Sequence, residues 1–80
     1  MDKQLDLNEI RQEIDTIDAS IVELFENRLA VCKDVAQFKI NNGKNVLDKE
    51  REIQKIQKVK SQAKNKFNEQ GIEELFSLIS

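Results

Sequence analysis

The sequence has 80 residues, thirteen of them Lys or Arg and fifteen Asp or Glu, for a formal net charge of −2. A domain of this size buries a modest share of its surface and often relies on disulfides, a metal or a second chain. The single cysteine, Cys32, excludes an intrachain disulfide and the absence of histidine excludes a Cys–His metal site, so the remaining source of buried area is another chain.

The opening ten residues are polar and acidic, without the apolar stretch of a secretory leader, and no later run approaches a membrane span. A cytoplasmic protein is the expectation, and one free thiol suits a reducing compartment. The first predicted helix runs from about Leu7 to Ile40, with Asn8 or Asp6 as its N-cap. Its apolar residues fall at Ile10, Ile14, Ile17, Ile21, Leu24, Val31, Val35 and Phe38. The steps alternate four and three, apart from one gap of seven, which is a heptad seam with a single position filled by something else. That position is Arg28. Asn41, Asn42 and Gly43 tolerate left-handed backbone and should end the helix. At 1.5 Å per residue the rod is ~50 Å long. A compact monomer of this size is only ~25 Å across, so a seam along the whole rod calls for a second chain.

After a loop to Leu47, Asp48 reads as the N-cap of a second helix reaching about Lys66, with Ile53, Ile56, Val59 and Ala63 on its apolar face. Glu52 precedes Ile56 by four and shares that face. A third helix should start near Asn68 or Glu69 and carry Ile72, Leu75, Phe76 and Ile79 to the end of the sequence. The expected fold class is therefore all-α, three helices forming one domain over residues 1–80. Residues 1–40 carry five cations and nine anions, and residues 41–80 carry eight and six. The basic surplus lies between Lys49 and Lys66. No aromatic interleaves those lysines for base stacking, so it reads as a solvated helix face and not as a nucleic-acid surface.

Arg28, Cys32, Val35 and Lys39 are spaced four, three and four, and so lie on one helix face. Arg28 and Lys39 are ~16 Å apart along the axis, a gap that two long cationic side chains can close onto a small anion. The competing reading is that their stems cover apolar surface while their heads reach solvent or a carboxylate. Arg11 lies ~25 Å from Arg28 along the rod, so one small ligand touches both only if a second, antiparallel rod supplies one of them. Glu52 adds a carboxylate, although a glutamate in a first turn is favourable there anyway. Asp48 divides between cap and ligand contact in the same way, and its N–H stands at a helix start. Cys32 has no histidine partner and reads as a packing residue. A site rich in cations, with one carboxylate and no histidine, suits a reaction that needs only a held conformation and charge stabilisation.

These residues resemble the all-α class of chorismate mutase. The likeness rests on Ile10-Arg11-Gln12-Glu13-Ile14-Asp15-Thr16-Ile17-Asp18, Leu24 to Arg28, Lys39, and Asp48-Lys49-Glu50-Arg51-Glu52, and covers nearly the whole chain from Leu7. The resemblance implies the rearrangement of chorismate to prephenate, without a cofactor, in phenylalanine and tyrosine biosynthesis. It implies an intertwined antiparallel homodimer with shared active sites. Arg28 and the second chain's Arg11 would hold the two carboxylates, and Lys39 would donate to the ether oxygen. Glu52 and the backbone N–H of Asp48 would meet the ring hydroxyl, and Arg51 would help order the site. Family members continue the third helix by about two turns, with further polar site residues there. This chain is accordingly expected to be a domain cut short, of the kind often fused to prephenate dehydratase. The alternatives are an isochorismate-pyruvate lyase of the same fold, or a non-catalytic helical dimerisation or effector-binding module in which Arg28, Lys39 and Glu52 form structural ion pairs.

Overall fold

The computed structural model describes residues 4–80. Residues 1–3, part of the polar opening weighed against a leader, lie outside the described residues. Three helices follow in order, α1 (Leu7–Asn41), α2 (Lys49–Ser61) and α3 (Lys66–Ile79), with no strand among the described residues. The described residues divide into two units, one ending at Lys44 and the other beginning at Asn45.

The first unit is built on α1. Its cap is Asp6, not Asn8: the Asp6 carboxylate accepts from the Asn8 N–H at 2.9 Å, and its carbonyl accepts from Ile10 at 3.0 Å. Extended backbone at Asp6 leaves its short acceptor facing the orphan N–H groups of the first turn. The other end closes as the Asn-Asn-Gly run predicts. Lys44 N–H donates to the Lys39 carbonyl at 2.8 Å and Gly43 N–H to the Ile40 carbonyl at 3.2 Å, the double return of a Schellman ending. Gly43 has φ +63°, while Asn42 keeps a negative φ, so the glycine alone uses the left-handed region. The seam residues Ile14, Ile17, Ile21, Leu24, Val31, Val35 and Phe38 are each 50–68% exposed in the single chain.

The second unit is a hairpin of α2 packed on α3. Asp48 caps α2, accepting from the Arg51 N–H at 3.0 Å. This helix ends five residues earlier than its pattern suggested. Ser61 Oγ donates to the Lys58 carbonyl at 2.6 Å, and the N–H groups of Gln62 and Ala63 reach back three residues at 3.1 Å, tightening the last turn out of α geometry. The third helix starts earlier than expected because Asn65, extended and with its side-chain oxygen accepting from the Asn68 N–H at 2.8 Å, is the cap. The half-buried apolar residues are Ile56 and Val59 on α2, Ala63 in the connection, and Ile72, Phe76 and Ile79 on α3. Ile53 and Leu75, expected on the same faces, are exposed. No described residue is fully buried in the single chain.

Candidate functional site

Six charged residues single themselves out in the sequence, three in each unit. In the first unit α1 sets their register. Arg28 and Lys39 are eleven residues apart and return to within about 20° of each other around the helix, so both point along one face. Both are half-buried, whereas Arg11, seventeen residues before Arg28 and turned away from it by about 100°, is exposed. Helix α1 therefore brings Arg28 and Lys39 onto one face and does not bring Arg11 to them. Cys32, between the two cations, is a free and exposed thiol.

Lys39 owes its placement to the helix ending. Its carbonyl is the one that Lys44 N–H closes onto, and the Lys44 ammonium lies 5.9 Å from the centre of the Phe38 ring. The turn that carries Lys39 is thus tied off at its last residues. A Cβ added at Gly43 meets nothing within 4 Å, so the glycine is needed for its backbone and not for space. Gly43→Ala should cost about 1 kcal/mol in urea unfolding through left-handed strain alone, and Gly43→Asn less.

In the second unit the start of α2 carries Asp48, Arg51 and Glu52. The Asp48 carboxylate is occupied as a cap, and the Glu52 N–H donates to the Asp48 carbonyl at 3.1 Å. Asp48 and Arg51 are exposed and Glu52 is half-buried. Glu52 stands at one end of an open groove of about 450 Å³ between α2 and α3, lined by Ile53, Ile56 and Lys60 on one side and Glu73, Ser77 and Ser80 on the other. Sequence reasoning missed this groove. It placed Lys60 on a solvated basic face, whereas the Lys60 ammonium lies 3.0 Å from the Glu73 carboxylate across the hairpin. The signal was present in the spacing, because Lys60 follows Ile56 by four and Glu52 by eight, along one face.

Among the described residues no cluster of three or more His, Cys, Asp or Glu could hold a metal ion, and no helix is long and apolar enough to cross a membrane. In the first unit two cations share one helix face, which suits an anion, and in the second a carboxylate stands in a polar groove, which suits a hydroxyl or a cation.

No solved structure matches the chain. A bifunctional chorismate mutase/prephenate dehydratase of Buchnera aphidicola subsp. Schizaphis graminum (strain Sg) is 36% identical over 80 residues, an alignment covering 99% of this chain and 21% of that protein. The chain spans about a fifth of the length of that relative. The family model for chorismate mutase type II matches residues 10–80, a stretch that takes in all six charged residues and both helix endings around them, and the chain belongs to that family.

Proposed function

We propose that this chain is a chorismate mutase, rearranging chorismate to prephenate within one molecule and without a cofactor. The observation that carries the reading is the family match over residues 10–80, which includes Arg28 and Lys39 on one face of α1. Chorismate is a dianion whose ether oxygen gains negative charge as the bond to it breaks. Arg28 and the Arg11 of a second chain bind its two carboxylates and select the compact conformer in which the reacting carbons meet. Lys39 donates to the ether oxygen as charge builds there. Glu52 and the backbone N–H of Asp48 take the ring hydroxyl, and Arg51 orders the start of α2 around them. A cytoplasmic setting fits the free thiol of Cys32.

The second chain enters for two physical reasons. Arg11 and Arg28 are about 25 Å apart on a straight helix, too far for one small ligand. The seam residues Ile14, Ile17, Ile21, Leu24, Val31, Val35 and Phe38 are also each 50–68% exposed in the single chain. An antiparallel homodimer, each α1 laying its seam on the other, covers the exposed apolar residues and brings an Arg11 to each Arg28.

Chorismate loss by absorbance, with a product assay, tests the activity. Prephenate is the expected product. Its absence from a folded chain overturns the reading, and release of pyruvate from isochorismate in its place would assign a lyase. Light scattering should give a dimer mass, and a well-folded monomer would remove Arg11 from the site.

A further inference from the structure

The Lys60–Glu73 pair has no part in the substrate contacts proposed above, yet it stands in the same groove as Glu52. Its side chains are 34% and 39% exposed. At that exposure an ion pair contributes little to stability, so its placement is its more informative property.

The hairpin is hinged at one end. Residues 62–65 join the helices, with Ala63 N–H closing onto the Lys60 carbonyl at 3.1 Å and Asn65 capping α3. That short connection fixes where the two helices meet but leaves their splay to the packing between them. The packing is apolar and incomplete: Ile56, Val59, Ile72, Phe76 and Ile79 are all only half-buried. Ridge-into-groove packing of apolar side chains fixes a helix crossing only to within about 15–20°. Lys60 and Glu73, joined at 3.0 Å, supply a directional tie across the hairpin at the middle of α3.

Beyond the tie the groove opens to its mouth. Glu52 lies eight residues from Lys60, about 12 Å along α2, and Ser80 lies seven residues from Glu73, about 10 Å along α3. A change of splay at the tie is therefore magnified at the mouth, where Glu52 faces the end of α3. We propose that Lys60 and Glu73 are positioning residues, a strut that sets the width of the groove and hence the place of Glu52. Glu69, one turn before Glu73 and also half-buried, is the competing carboxylate on α3. Glu69 sits in the first turn of α3, and Glu73, one turn further on, is the carboxylate that lies 3.0 Å from the Lys60 ammonium.

The kinetic consequence rests on the chorismate mutase reading, and the width of the hairpin does not. Lys60→Met keeps the aliphatic stem and removes the charge. It should lower kcat/KM for chorismate roughly tenfold, since a misplacement on the ångström scale is enough for that, while the unfolding midpoint stays close to wild type. Glu73→Gln should do the same, Glu69→Gln should do neither, and the exchange of Lys60→Glu with Glu73→Lys should restore most of the loss. The width itself is read by electron paramagnetic resonance between nitroxides at Gln54→Cys and Leu78→Cys in a Cys32→Ser background. The distribution should widen in Lys60→Met and narrow again in the exchanged pair. An unchanged distribution in Lys60→Met overturns the strut, whatever the assay shows. So does a kinetic loss that the exchange fails to reverse. A wild-type chain without mutase activity refutes the proposed function alone, because the nitroxide distances still decide the strut.

Discussion

Replacing Lys39 by Met lowers kcat for chorismate by roughly two to three orders of magnitude, with a smaller change in KM. Negative charge on the ether oxygen exists in the transition state and hardly at all in the bound substrate. A cation aimed at that oxygen therefore acts on the rate more than on binding. Met retains the length and apolar stem of Lys, so the helix face is left packed as before. Lys39→Arg should recover only part of the rate, because a planar fork does not place a donor where a compact ammonium does. Steady-state kinetics separate the outcomes. A kcat close to wild type in Lys39→Met would take Lys39 out of the chemistry, and a loss confined to KM would make it a carboxylate ligand.

The second large effect is a recovery. Arg11→Ala and Arg28→Ala should each remove most of the activity, since each deprives a carboxylate of its cation. Mixed and allowed to exchange, the two inactive proteins should regain about a quarter of wild-type activity, because half the dimers are mixed and each mixed dimer has one intact site of two. No arrangement with both arginines on one chain predicts this. Native mass spectrometry shows whether subunits have exchanged. Exchange without rescue would place Arg11 outside the shared site.

What the sequence made legible was local. The heptad steps of α1, the Asn-Asn-Gly ending and the Asp48 cap depend on residues within a few positions of one another, and each stands where the pattern put it. The break between α2 and α3 was misplaced because it contains neither Gly nor Pro. It is made by the Ser61 hydroxyl and the Asn65 side chain, polar groups that compete with helix only in the right backbone setting. The Lys60–Glu73 tie joins residues thirteen apart across a turn, and one lysine among several on α2 gives no local sign of having a partner. The six charged residues were legible as types and spacings. Their roles were not, since a seam arginine is compatible with both a ligand and a surface carboxylate.

The exposed seam of α1 also has a thermodynamic consequence. If its apolar residues find cover only on a second α1, folding and association are one equilibrium, second order in chain. The melting temperature then has no value apart from a concentration, and rises as protein is added. Dilution lowers specific activity by the same route that it loosens structure, and a chain newly made and scarce exposes its seam to proteases until another arrives. The cell's supply of this protein would thereby act on its stability before it acts on flux.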